Sequence, residues 1–287
     1  MSIRFANLED FRQIKELWDI SFPGEPIFDN WFFRHVYKEE NTIIYCQDDK
    51  VCSMLQIIPY MIEIEGIQHP VHYIYGVCTH PDYRKRGLMA QLLNFAFKIG
   101  KDRGDIASVL IPQDKWLFGI YEKFGYQISF YVDKYQLEAR NHFQAATGNL
   151  VEASEKDIEK MASLYETQTK NLSGSIVRNR EYWKQQIELF KATEGHVYCL
   201  EQNGQCNAYG FVGFMNEQLS IQEGFAKDPQ TLLSFAEQVA IKENKQSVTI
   251  STPCQQKDGE GIPLGCLKWL DNQHKTNFSG YMNLMYN

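Results

Sequence analysis

The chain has 287 residues, enough for two domains of about 140 residues each. Its 44% hydrophobic and 23% charged residues make a folding composition and exclude the disordered class. A net charge of −7 argues against nucleic acid as a bulk electrostatic partner, and no apolar run approaches the roughly 18 residues that span a bilayer.

In chain order, the pattern predicts a strand at 3–6, helices at 8–22 and 27–38, hairpin strands at 42–48 and 51–64, and a strand at 70–79. A helix at 87–103, a strand at 106–111, a helix at 115–124 and a closing strand at 127–137 follow. MSIRFANLEDF carries no apolar signal core and reads as a mature start. The seven cysteines form no CxxC pair and no zinc spacing, which fits free thiols in a reducing cytoplasm, with no metal expected.

The sequence then repeats itself. At a shift of 147, Ala6, Asp10, Ile14 and Leu17 fall on Ala153, Asp157, Met161 and Leu164, after the N-cap residues Asn7 and Ser154. IYCQDDKVCSML (44–55) sits over YCLEQNGQCNAY (198–209), each with a turn-former between extended runs. YGVCTHP (75–81) aligns with EGFAKDP (223–229) at a shift of 148, and LLNFA (92–96) with LLSFA (232–236) at 140. The second copy is therefore eight residues shorter there, and the loss includes RKRG. The expected division is a first domain at 1–138, a linker at 139–149 and a second domain at 150–287.

That missing stretch is the informative one. Arg84, Lys85, Arg86 and Gly87 lie where a strand hands over to a helix striped with Leu88, Leu92, Phe95, Ala96 and Ile99. Amides without intrahelical partners, the helix dipole and three cations form an anion cradle, best suited to a phosphate or pyrophosphate. A glycine permits close backbone approach or a positive φ.

This segment resembles motif A of the GCN5-related N-acetyltransferases (GNAT): Arg or Gln, two residues, Gly, one residue, then Gly or Ala. Arg84 and Gly87 match, and Met89 replaces the last small residue. That departure is similar to the enhanced-intracellular-survival branch, whose members read RRRGLL or similar and carry tandem domains, the second without the cofactor loop. NREYW (179–183) resembles the start of that second domain. WLFGIYEKFGY (116–126) resembles the family's fourth helix, with Tyr121 as the tyrosine near the cofactor sulfur. The resemblance implies two tandem α/β GNAT-like domains with mixed, mostly antiparallel sheets flanked by helices. The first is expected to be catalytic and the second degenerate, with no third, sterol-carrier-like domain expected.

It further implies acetyl-CoA as co-substrate. Val77, Cys78 and Thr79 would pair with pantetheine through the main chain. Arg84, Lys85, Arg86, Gly87, Leu88, Met89 and Ala90 would bind the pyrophosphate. The reaction implied is direct attack by the primary amine of a small acceptor, with Tyr121 protonating the departing thiolate. Tyr73 stands where some relatives place a strand carboxylate, so a water-relayed base is expected; the terminal carboxylate of Asn287 is a further candidate. His72 and His80 read as structural, and Cys78 as a strand residue rather than a nucleophile.

Phe28, Trp31, Phe32 and Phe33 could wall the acceptor site or simply fill the core, with Glu25 and Asp29 attracting a cation. The expected partner is a small, cationic amine such as a polyamine or aminosugar, with neither nucleic acid nor membrane, in the cytoplasm. A non-catalytic acyl-CoA sensor and a tRNA-dependent aminoacyl transferase are the alternatives. The sequence fixes no oligomeric state.

Overall fold

A computed structural model describes residues 1–138, 148–215, 217–254, 261–271, 278 and 280–286. In chain order the first half holds β1 (Ser2–Phe5), α1 (Phe11–Ser21), α2 (Pro26–His35), β2 (Thr42–Gln47), β3 (Lys50–Ile64), β4 (Ile67–Thr79), α3 (Leu88–Arg103), β5 (Ala107–Leu110), α4 (Leu117–Glu122) and β6 (Gln127–Glu138). The second half holds β7 (Asn149–Glu152), α5 (Ile158–Thr169), β8 (Ser175–Ile176), α6 (Arg180–Ala192), β9 (His196–Gln202), β10 (Gln205–Met215), β11 (Gln218–Ala226), α7 (Pro229–Lys242), β12 (Ser247–Pro253) and β13 (Ile262–Trp269).

Two compact units result: Met1–Ser129 with Gly265–Asn277, and Phe130–Leu264 with Phe278–Asn287. The first is a mixed sheet in the order β1-β2-β3-β4-β5-β13, antiparallel at each of these junctions except β4–β5. Local chemistry explains its elements. The Asn7 side chain accepts from Glu9 N, and the Asp10 carboxylate accepts from the Asn7 backbone N–H, so the chain enters α1 through a capping box. The helix then buries Ile14, Leu17 and Trp18 along one stripe. Asp48 and Asp49, at φ 51° and 59°, form the tight β2–β3 turn. Positive φ at both central residues matches the twist of a two-residue hairpin. Asn203 and Gly204 do the same between β9 and β10. α3 ends at Gly104, φ 85°, in a left-handed cap.

α3 covers one face of this sheet through Leu88, Leu92, Leu93, Ala96 and Phe97, packed with Leu55, Ile57, Ile74 and Leu110. α1 and α2 serve the other face, where Trp18 and Phe32 stack on each other and both meet Tyr75.

The second unit repeats the order of elements in the sheet β6-β12-β11-β10-β9-β7, with β11–β12 as its parallel pair. Trp183, Tyr209, Phe211 and Phe225 fill one core, and Phe235, Val239, Val212 and Ile250 another.

Two expectations change. The strand at 127–137 was expected to close the first domain; it is β6, and it pairs with β12 within the second unit. The place beside β5 is taken by β13, with Cys266 opposite Leu110 and Trp269 opposite Ala107. The units therefore exchange closing strands, and no single cut at 138–150 separates them. A strand's pattern encodes which faces it buries, not which sheet edge it joins. NREYW opens α6, capped by the Asn179 side chain accepting from Tyr182 N at 2.8 Å, well inside the second unit rather than at its start. Of the expected linker 139–149, residues 139–147 lie outside the described residues, and Asn149 already belongs to β7.

Candidate active site

The site begins with a parallel pair that stops early. β4 and β5 are in register at Val71–Ala107, His72–Ser108 and Tyr73–Val109, after which β5 ends at Leu110 while β4 runs on to Thr79. The other edge of β4 stays paired to β3, through Cys78–Met54 and Thr79–Ser53. The ladder shifts register between Met54 and Gln56, so one extra residue bulges near Gly76. Gly76 has φ 58° and lies against the Trp18 indole, which leaves no room for a side chain. Val77–Thr79 thus form a stretch with one sheet partner and a second edge facing away from it. An extended ligand can pair with such an edge.

At the end of this edge the chain turns through Pro81–Tyr83 into α3. Arg84 Nε donates to Thr79 O at 3.1 Å, which pins the turn to the strand. Arg86 donates to Asp82 O at 2.7 Å and lies over the Tyr83 ring, 5.0 Å from its centroid. Lys85 and Gly87 both have positive φ, 62° and 74°. Gly87 is the N-cap of α3, no side chain caps the helix, and a Cβ there would meet nothing within 4 Å. The amides of Leu88, Met89 and Ala90 therefore begin a 16-residue helix without a side-chain acceptor. Arg84, Lys85, Arg86 and Gly87 are exposed around them. The Leu88 side chain turns into the α3 core, so only its backbone can serve the turn.

The other half of the unit contributes Tyr121. It sits in α4, 8% exposed, edge-on to Tyr126 at 5.7 Å. Tyr126 is fixed in turn by a 2.6 Å bond between its hydroxyl and Ser108 Oγ. Burial pushes the Tyr121 phenol up to about 12, with the neighbouring Cys266 thiol adding to the shift. The hydroxyl has no hydrogen-bond partner among the described residues. One apolar cluster holds Tyr121, Leu88, Leu110 and Cys266, with Val77 and Met89 packed at its edge. The structure thus brings together the strand edge, the start of α3 and Tyr121. Cys266 was not foreseen, because it arrives on the exchanged strand.

Other candidates have different surroundings. Tyr73 is fully buried on the α1–α2 face, stacked on Tyr75 at 5.9 Å and edge-on to Tyr60. Asn287 lies outside the described residues, and the segment Tyr281–Tyr286 leading to it is buried in the second unit. His72 is a structural residue: its Nδ1 is 2.7 Å from Asp105 Oδ2, and it packs against Gly100 where no Cβ would fit. His80 accepts from Asp82 N within the turn. Cys78 is buried, and burial pushes its thiol up to about 12, which removes it as a thiolate nucleophile near neutral pH. Asp29, expected to attract a cation, is buried and accepts the Trp18 indole N–H at 2.7 Å. Trp31 and Phe32 belong to the core.

The second unit handles the same junction differently. Residues 80–87 separate β4 from α3, whereas only Lys227 and Asp228 separate β11 from α7. The Asp228 carboxylate caps α7, accepting from Thr231 N at 2.7 Å, and this bond holds its carboxyl below the usual range. A fixed negative charge occupies the helix start that is open in the first unit. At the position aligned with Tyr75, Glu223 is fully buried and holds Arg178 through two bonds of 2.5 and 2.7 Å. An open groove of about 860 Å³ between Gln136, Ile241 and Lys245 brings together no comparable set of groups. Among the described residues no group of three His, Cys, Asp or Glu could hold a metal ion, and no helix is long and apolar enough to cross a membrane.

Comparison with known proteins agrees with this fold. The acetyltransferase (GNAT) domain family matches residues 2–129. A GCN5-related N-acetyltransferase from Kribbella flavida superposes with a TM-score of 0.74 at 17% identity, covering 94% of this chain and 71% of its own. Eis1 from Mycobacterium abscessus gives 0.68 at 14%, covering 94% and 74%. A Saccharomyces cerevisiae N-myristoyltransferase with bound myristoyl-CoA gives 0.60 at 11%, covering 98% and 89%. At these identities the likeness is one of fold. No curated protein matches the sequence. On this match residues 2–129 are an acetyltransferase (GNAT) domain, of a family of N-acyltransferases that use acyl-CoA.

Proposed function

We propose that the protein transfers an acetyl group from acetyl-CoA to the primary amine of a small acceptor, in the first unit only. The observation that carries this reading is the start of α3 at Gly87, uncapped, ringed by three cations and continuous with the free edge of β4. Pyrophosphate suits the backbone amides of residues 85–90 and the charges of Arg84, Lys85 and Arg86. The pantetheine arm suits the main chain of Val77, Cys78 and Thr79. Bound there, acetyl-CoA supplies the activated acyl group as a thioester.

The chain's own residues position and protonate. β4 and α3 fix the reacting carbon, and orientation of this kind supplies much of the rate enhancement in direct transfer. A neutral amine attacks the carbonyl carbon, an N–C bond forms and the C–S bond breaks. The Tyr121 phenol, protonated through the whole physiological range, gives its proton to the departing thiolate. With no carboxylate at Tyr73, the proton leaving the amine travels by water. The second unit, capped by Asp228, acts as a degenerate, non-catalytic partner domain. Cationic acceptors such as polyamines or aminosugars suit the net charge of −7. A cytoplasmic setting suits the seven free cysteines.

A broad amine screen with acetyl-CoA, read by release of the free thiol, tests this reading. Turnover with at least one amine is expected. Tight acetyl-CoA binding without turnover would make the protein a sensor instead.

A further inference from the structure

β3 is apolar through most of its central run, VCSMLQIIPYMI, and Gln56 is the amide in the middle of it. Leu55 and Ile57 point to the α3 core, so Gln56 points to the opposite face. It lies across from Tyr75 on β4, which packs on that face against Trp18 and Phe32. The register shift that makes the β4 bulge falls next to it, between Met54 and Gln56. Gln56 is 0% exposed, and neither its Nε2 nor its Oε1 has a hydrogen-bond partner.

A dry, unpaired amide is costly to bury, on the order of 1–3 kcal/mol for each unsatisfied group. An apolar side chain of the same size would fit this strand without that cost, so its presence calls for a partner from outside the protein. Water is the partner small enough, and an internal water needs two to four polar groups. Gln56 supplies both a donor and an acceptor, one strand in from the opening: it lies opposite Tyr75 of β4, two residues past the last β4–β5 pair at Tyr73.

We propose that Gln56 is a positioning residue that holds an internal water, and that this water is the first carrier for the proton released by the attacking amine. The proposal rests on the N-acetyltransferase reading given above. As the N–C bond forms, the amine nitrogen gives its proton to this water, which passes one of its own toward solvent. The C–S bond breaks and the thiolate takes the Tyr121 proton, which solvent restores. Gln56 itself gains and loses no proton.

Gln56→Leu and, as a second variant against misfolding, Gln56→Met should be compared with the wild type. The measurements are acetyl-CoA affinity by calorimetry, kcat and KM with the amines of a screening panel that includes spermidine and kanamycin, and the solvent deuterium isotope effect on kcat. The expected result is unchanged acetyl-CoA affinity and amine KM, with kcat lowered about 10-fold or more and the isotope effect altered. Unchanged kcat and isotope effect with a raised unfolding temperature would make Gln56 a merely unpaired core amide and overturn the proposal. Wild-type protein that binds acetyl-CoA but acetylates no amine would overturn the enzymatic reading and this proposal with it. Normal wild-type turnover with unaffected variants would remove the relay alone.

Discussion

Gly76 and Trp18 are in direct contact: a Cβ on Gly76 would lie 2.7 Å from Cζ3 of the indole. The same residue has φ 58° and sits at the bulge in the β3–β4 ladder, just past the last β4–β5 pair. The indole is held from behind by its bond to Asp29, so it has little freedom to withdraw. Gly76→Ala should therefore destabilise the first unit by about 2–4 kcal/mol, combining overpacking and left-handed strain. Urea unfolding measures this, and a loss below about 0.5 kcal/mol would mean that the ring moves aside.

Tyr121→Phe removes the proposed proton donor and keeps the packing on Tyr126. Turnover should fall about 100-fold with little change in the KM for acetyl-CoA. Because the phenol is raised to about 12, it stays protonated in the folded protein well above pH 10. A wild-type rate profile should then show no fall assignable to Tyr121 below about pH 11. A fall near pH 9 that disappears in the Phe variant would contradict this.

Gly87→Asp places at the start of α3 a carboxylate like the one that Asp228 places at the start of α7, although from a left-handed rather than an extended backbone. Aspartate tolerates the left-handed conformation better than most residues, so folding should survive. Its carboxylate would stand where a pyrophosphate is proposed to bind. Acetyl-CoA affinity should drop on the order of 100-fold, since like charges a few ångströms apart cost several kcal/mol at a protein surface. Calorimetry measures the drop and circular dichroism checks the fold.

Arg4 clamps Asp10 with bonds of 2.6 and 2.8 Å, and these bonds hold the Asp10 carboxyl below its usual range. A depressed carboxyl contributes stability that is complete above its unfolded value, about 3.9, and is lost as pH falls through the folded value. Asp10→Asn should lower stability by about 1 kcal/mol at pH 7, through the weakened capping box. The difference from wild type should shrink toward pH 2, as denaturant titrations at the two pH values would show.

The buried Arg178–Glu223 pair also accepts bonds from the hydroxyls of Tyr209 and Tyr281, and Arg178 lies 4.1 Å from the Tyr165 ring centroid. Burial opposes the Arg178 charge, but the Glu223 carboxylate outweighs it and raises the guanidinium well above its ordinary value. Arg178→Met alone should cost about 3–5 kcal/mol because it strands Glu223. Replacing both residues with apolar ones of similar volume should recover most of that loss. Equal losses in the single and double variants would show that the aromatic cage, not the ion pair, carries the stability.

The element order was readable because it rests on local signals. Caps at Asn7 and Ser154, turn pairs at 48–49 and 203–204, and the stripe of α3 each depend on a few neighbouring residues. The turn at Arg84–Gly87 was readable for the same reason. What escaped was set by pairing at long sequence separation. Cys266 reaches Tyr121, and β6 reaches β12, only through the choice of sheet edge. Gln56 left one legible signal, an amide inside an apolar strand run, but its lack of a partner exists only in three dimensions. Asp29 had the charge to be a ligand and was already spent on Trp18.

Because β6 completes the sheet that follows it in sequence and β13 completes the one that precedes it, neither half of the gene encodes a finished body. Expressed alone, residues 1–138 would leave β5 without its outer neighbour and β6 without a sheet to join. The later half could thus shorten its strand-to-helix turn but could not be discarded, since it still lends the strand carrying Cys266 to the cluster around Tyr121. Redundancy in sequence became obligation in structure.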